Sequence, residues 1–128
     1  MNEYIAYNGD SFLIEWYYDD NGKSQPLVYY KSLSVDERIK ILRLFKRIGD
    51  VGVIKDKKKF NYEGDKIYAF KPQPDRFLCF FFDGHKIIVT NAFRKKRQKL
   101  PPGEKAKAIR NQESYILRMN QGDYYEEN

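Results

Sequence analysis

The sequence predicts an α+β domain in which a small antiparallel β-sheet has two helices before it and one after, with the helices on one side of the sheet. Three observations carry this reading. Residues 34 to 48 combine capping residues with apolar side chains at helical spacing. "RFLCFFF" (76–82) is an apolar run that Asp83-Gly84 joins to a second strand-like run, and Pro101-Pro102 opens a last amphipathic segment.

Taken in order, "SFLIEWYYDDNG" begins with strand-forming residues and ends in Asp-Asn-Gly turn chemistry, which gives a first strand and a turn. "SQPLVYYKSL" follows as a short helix, with Ser24 placed to cap it and Pro26 in its first turn. The next helix has the clearest signal. Ser34 and Glu37 form a capping box, Ile41, Leu44, Phe45 and Ile48 recur on one face, and Gly49 is placed to end it. Residues 55 to 66, "KDKKKFNYEGDK", are charged and broken by Gly64, so they read as a loop or frayed edge. Three strands come next: "KIYAFK", "RFLCFFF" after the connection "PQPD", and "KIIVTNAF" after Asp83-Gly84. The last helix spans roughly 102 to 119 on a thin stripe of Ile109, Tyr115, Ile116 and Met119, and the acidic tail, 120 to 128, is expected to be loose.

With 128 residues, 41% of them hydrophobic and 16% aromatic, the chain fills one core and not two, so 1–128 is read as a single domain. No run approaches the ~18 apolar residues of a membrane span, and "MNEYIAYNGD" lacks the basic and apolar regions of a signal peptide. A cytoplasmic location without a membrane partner is therefore expected. Cys79, the single cysteine, lies in an apolar strand and reads as a buried structural thiol.

Net charge is +6, but it is not spread evenly. Residues 86 to 110 hold nine Lys/Arg and one acid, Glu104, which is +8 and leaves −2 for the rest of the chain. Cationic charge gathered in one stretch points to a polyanion-binding face better than a high pI does. The hairpin adds to it. An Asp83-Gly84 loop sets Arg76 opposite residue 91 and a Gly84-His85 loop sets it opposite residue 93, so either way Arg76 lies beside the basic block. The "PQPD" turn brings Lys71 to the same end, and Lys71, Arg76, Arg94, Lys95, Lys96 and Lys99 are expected to converge. His85, the only histidine, sits at the hairpin tip, roughly 25 Å of strand away from the block, and reads as a surface turn residue. "YEGDK" (62–66) reads as exposed loop charge. No metal-ligand spacing, phosphate loop or dinucleotide fingerprint is present, so no metal and no cofactor are expected.

"FRKKRQKLP", from Phe93 to Pro101, fits Phe-x-Lys-Lys-x-x-Lys-x-Pro and is followed by Glu104 and Ala108. With the upstream "FKPQPDRFLCFFFDGHKIIVTNAF", it resembles the C-terminal signature of HigB-type toxins of the RelE/ParE superfamily, in their phage-derived branch. The likeness extends over about residues 22 to 118. It implies a RelE-like, microbial-ribonuclease-like fold and a type II toxin–antitoxin toxin, an endoribonuclease that cleaves mRNA in the ribosomal A site; the lack of a visible ligand set makes that activity metal-independent by expectation. It also implies a helix-turn-helix, HigA-like antitoxin as partner. The family's sheet arginine corresponds to Arg76 and its basic motif to Lys95, Lys96 and Lys99, the catalytic candidates. Lys71, Arg94 and Arg97 are the RNA-binding candidates. The chain departs from the family pattern in three places: Ala69-Phe70-Lys71 stands where many relatives have Glu-Leu-Arg, Lys105 occupies a usually apolar position, and no histidine cluster is present.

These side chains suit phosphate chemistry. Arginine can grip a phosphate bidentately, and lysine supplies a point charge or a proton. A non-catalytic RNA- or ribosome-binding module would need the same charge, and a ParE-like DNA gyrase inhibitor is the third reading of the superfamily resemblance.

Overall fold

"RFLCFFF" is buried on both sides of its strand, and that decides how the helices are arranged. The computed structural model describes residues 2–125. It contains β1 (Ile5–Asn8), β2 (Leu13–Trp16), α1 (Gln25–Ser32), α2 (Val35–Val51), β3 (Phe60–Tyr62), β4 (Tyr68–Phe70), β5 (Asp75–Phe82), β6 (Lys86–Arg94) and α3 (Pro102–Gln121). The strands form one sheet in the order β1-β2-β6-β5-β4-β3, parallel between β2 and β6 and antiparallel elsewhere. This is the expected α+β class with a RelE-like architecture. Among the described residues, no helix is long and apolar enough to cross a membrane.

The helices do not lie on one side, contrary to the expectation from sequence. Phe77, Cys79, Ile87 and Val89 pack on one face with Leu27 of α1 and with Ile41, Phe45 and Ile48 of α2. Leu78, Phe80 and Ile88 pack on the other with Ala108 and Tyr115 of α3. A strand segment apolar at every position needs cover on both faces, and β5 is such a segment from Phe77 to Phe82. Ile116, expected in the α3 stripe, is instead 36% exposed, because the helix turns Ala108 and Tyr115 inward.

The capping box of α2 forms as expected: Ser34 Oγ accepts from Glu37 N at 3.2 Å, and Glu37 Oε1 accepts from Ser34 N at 3.0 Å. Gly49 does not end the helix. That role falls to Gly52, which has a left-handed φ of 89°. Gly49 serves packing, since a Cβ on it would stand 2.7 Å from the Tyr7 ring, and a Cβ on Gly9 would stand 2.2 Å from the Gly49 carbonyl carbon. The β1–β2 turn docks there through Ser11 N and Phe12 N, both of which donate to Gly49 O.

Two strands come from segments not read as strands. β1 is a short edge strand. β3 arises inside the charged 55–66 segment, held by aromatic contact with β4: the Phe60 ring stacks on Tyr68 at 5.5 Å and meets Phe70 at 4.8 Å. The tail is not loose where it is described. Tyr124 is 4% exposed and its hydroxyl accepts from Tyr18 N, while Tyr125 donates to the buried Glu15 carboxylate at 2.5 Å. Residues 126–128 of the expected loose tail lie outside the described residues.

Candidate functional site

A single extra residue in β6 decides which basic side chains share a face. Near the turn Phe82 pairs with Lys86 and Cys79 with Val89, whereas beyond the bulge Leu78 pairs with Asn91, Arg76 with Phe93 and Asp75 with Arg94. The additional residue is Thr90, whose Oγ1 donates within the bulge to Leu78 O at 3.2 Å or Asn91 Oδ1 at 2.7 Å. Side chains alternate along a strand, so the insertion inverts the facing of everything after it. Phe93 comes to the α3 face beside Arg76, and Arg94 goes to the α1/α2 face beside Asp75. The turn itself is a three-residue loop, 83–85, which matches neither expected register, and Arg76 comes to pair with Phe93 only because the bulge adds a residue.

On the α3 face, past the start of α3, lies an open groove of about 670 Å³. It is lined by Lys71 and Arg76 from the sheet, by Lys95, Lys96, Arg97 and Lys99 from the segment joining β6 to α3, and by Lys57 and Lys58 from the approach to β3. Those eight cations face one carboxylate, Glu63. Lys71, Arg76, Lys95, Lys96 and Lys99 therefore meet as expected from sequence, and Arg97 joins them. Lys57, Lys58, Asn61, Glu63 and Gln73 complete the groove and were not foreseen. The lysine run in "KDKKK" was a visible signal, but without β3 nothing tied it to this end of the sheet.

Arg76 is 8% exposed. Its Nη1 donates to Asp75 O at 2.9 Å and its Nη2 to Gln73 Oε1 at 3.4 Å, so three of the five guanidinium N–H groups donate to nothing among the described residues. Burial lowers its pKa, which the nearby Glu63 and Asp75 charges oppose, and an arginine so placed stays protonated. Lys71 Nζ stands 3.6 Å from Glu63 Oε2, with both side chains about four-fifths buried (19% and 18% exposed). Lys57, Lys58, Lys95, Lys96, Arg97 and Lys99 form no ion pair among the described residues.

Arg94, expected from sequence to converge with these cations and to bind RNA, is not in this groove. Its Nη2 lies 2.6 Å from Glu37 Oε2 and 3.5 Å from Asp75 Oδ1. Asp75 is 1% exposed and also accepts from the Tyr29 hydroxyl, whose pKa is pushed up to about 12 by burial first and by this hydrogen bond second. The 96–101 segment also walls a second, more apolar groove on the α1 side, with Tyr29 and Arg94 in its lining.

His85 is exposed at the hairpin tip with Nδ1 2.9 Å from Asp83 O, as a turn residue should be. Cys79 is fully buried, and burial pushes its thiol pKa upward, so it is inert. Among the described residues, no group of three or more His, Cys, Asp or Glu is placed to hold a metal ion.

Compared with known protein families, residues 29–113 match the phage-derived Gp49-like proteins. The chain belongs to the phage-derived Gp49-like family. No curated protein matches it. Gp49-like proteins are toxin-like members of toxin–antitoxin systems, so an antitoxin is the implied partner. The Gp49-like segment runs from α1 into α3 and takes in every residue of the cationic groove, while β1, β2 and the docked tail lie outside it.

Proposed function

We propose that the protein is the toxin of a type II toxin–antitoxin system of HigB type, a cytoplasmic endoribonuclease that cleaves mRNA in the ribosomal A site and is restrained by a helix-turn-helix antitoxin. One observation carries the reading: seven cations from three other chain segments surround the buried Arg76, eight cations in all with one carboxylate among them. A free groove of that kind repels itself, and an anion is what relieves the repulsion. RNA cleavage calls for such a surface. As the 2′-oxygen attacks the adjacent phosphorus, negative charge grows on the phosphate oxygens, where fixed cations stabilise it without reorganising. Arg76, with three N–H groups that donate to nothing among the described residues, is suited to a bidentate grip, and Lys95, Lys96 and Lys99 to point charge and to protonating the leaving oxygen. Protonated lysine and arginine have no lone pair for a metal, so the charge is supplied by side chains and activity is expected to be metal-independent.

Dependence on the ribosome is supported by how open the site is. Lys96, Arg97 and Lys99 are exposed, and the groove cannot by itself hold a flexible strand in line for attack. A ribosome that fixes the mRNA can supply the ~7–11 kcal/mol available from positioning. Purified protein incubated with translating ribosomes or with the same free mRNA tests this directly. Cleavage should be far faster on the ribosome, and equal rates would contradict the proposal.

A further inference from the structure

Glu63 is anchored in the groove with unusual care for a residue that repels RNA. It follows β3, and strand alternation puts it on the face of Asn61, which pairs with Ala69 as Ala69 pairs with Leu78. Glu63 N donates to Ile67 O at 2.8 Å, and Ile67 N closes the following turn on Gly64 O at 2.9 Å. That turn takes three successive left-handed residues, Gly64 at φ 89°, Asp65 at 54° and Lys66 at 65°, a conformation that costs about 1 kcal/mol or more for each residue with a Cβ. The last helix holds it in place: Lys105 Nζ lies 2.8 Å from Asp65 Oδ2, and a Cβ on Gly64 would stand 3.0 Å from the same Nζ. The Glu63 carboxylate is held through Oε2, 3.6 Å from Lys71 Nζ and 3.5 Å from Asn61 Nδ2, whereas Oε1 accepts no hydrogen bond among the described residues.

A carboxylate weakens the attraction of a cationic groove for RNA, and besides pairing with Lys71 it can do something its neighbours cannot. Protonated lysine and arginine cannot accept a proton, and a carboxylate can. We propose that Glu63 is the proton acceptor for RNA cleavage in this groove, an inference that rests on the endoribonuclease reading. The 2′-hydroxyl beside the scissile phosphate gives its proton to Glu63 Oε1 as its oxygen bonds to phosphorus. The bond from phosphorus to the 5′-oxygen of the next nucleotide breaks, and that oxygen takes a proton from a lysine ammonium group. The products are a 2′,3′-cyclic phosphate and a free 5′-hydroxyl. Exchange with water then removes the proton from Glu63 and restores the one on lysine. Lys105 acts through the turn it clamps and is a positioning residue.

The test measures single-turnover cleavage of a synthetic mRNA on ribosomes with an empty A site, together with equilibrium binding to the same complex, for the wild-type protein, Glu63→Gln and Glu63→Ala. Glu63→Gln should cleave about 100-fold or more slowly. Its affinity should hold or rise a few-fold, because a negative charge has left the groove. Formate should restore cleavage to Glu63→Ala in proportion to its concentration and leave the wild type unchanged. If Glu63 only opposes RNA, Glu63→Gln raises affinity and cleavage together, and that overturns the proposal. Loss of both affinity and cleavage with no response to formate overturns it too. Active wild type with an equally active Glu63→Gln removes this proposal alone, whereas an inactive wild type removes the endoribonuclease reading along with it.

Discussion

Arg76 and Arg94 stand at the same end of the sheet, on adjacent strands and opposite faces. Their surroundings differ in kind. Arg94 is neutralised, with Glu37 at 2.6 Å and the buried Asp75 at 3.5 Å. Among the described residues, Arg76 donates only to its own strand and turn and is ringed by lysines, most of them without an ion pair. One face of the strand ends uses its charge to join α2 and α1 to the sheet. The other leaves its charge for a ligand. Charge density along the chain does not distinguish them, since Arg94 and Lys95 are neighbours in one basic run. Pairing does, and pairing follows from the phase that Thr90 imposes on β6.

The largest expected effect comes from inverting the unpaired face. Wild-type binding to programmed ribosomes should weaken steeply with salt, with a log–log slope of roughly −2 to −4.5 for three to five phosphate contacts. Lys95→Glu with Lys96→Glu should flatten that slope by about 1.4 to 1.8, lower affinity on the order of 100-fold or more, and abolish growth inhibition. Antitoxin affinity, read by calorimetry, should be unchanged if the antitoxin acts by bulk. A salt-suppressed loss of antitoxin affinity would mean that an acidic segment covers this face.

Disturbing the paired face should give the converse result. Asp75→Ala strips Tyr29 and Arg94 of a buried acceptor and should lower stability by about 1–3 kcal/mol in chemical denaturation. RNA affinity measured under native conditions should stay within about twofold of the wild type, the range expected of a residue with no phosphate contact. A large loss of affinity without loss of stability would show that the two faces act as one site. The smallest effect is expected at the far end of the hairpin, where His85→Ala should change stability by less than about 0.5 kcal/mol and leave toxicity intact.

Local chemistry made much of this legible. The Ser34–Glu37 capping box, the Asp83-Gly84 hairpin and the proline start of α3 are short-range signals, and each produced its element. Convergence of Lys71, Arg76 and the 95–99 lysines followed from the hairpin together with the "PQPD" turn. What was missed depends on contacts distant in sequence. β3 is three residues long and owes its place to Tyr68 and Phe70, so the lysines before it and Glu63 after it could not be assigned to the groove. Gly49 has the residue type of a helix stop, but only the approach of Tyr7 and Gly9 shows that it is a packing glycine. Tyr124 lies in an acidic tail, and its burial depends on Tyr17 and Tyr115. The second-face position of α3 had a signal in the uninterrupted apolar run of β5, which one covered face cannot satisfy.

The central claim is that the unpaired face, and not the paired one, holds the scissile RNA. It is tested most directly by single-turnover cleavage of ribosome-bound mRNA by Arg76→Ala and Arg94→Ala, with folding of both variants checked by circular dichroism. Arg76→Ala, while still folded, should lose about 100-fold or more in rate, the scale seen when one donor to a developing oxyanion is removed. Arg94→Ala should cleave within about threefold of the wild type, since it contributes no such donor. An active Arg76→Ala beside an inactive, folded Arg94→Ala would contradict the account and move the site to the opposite face of the sheet.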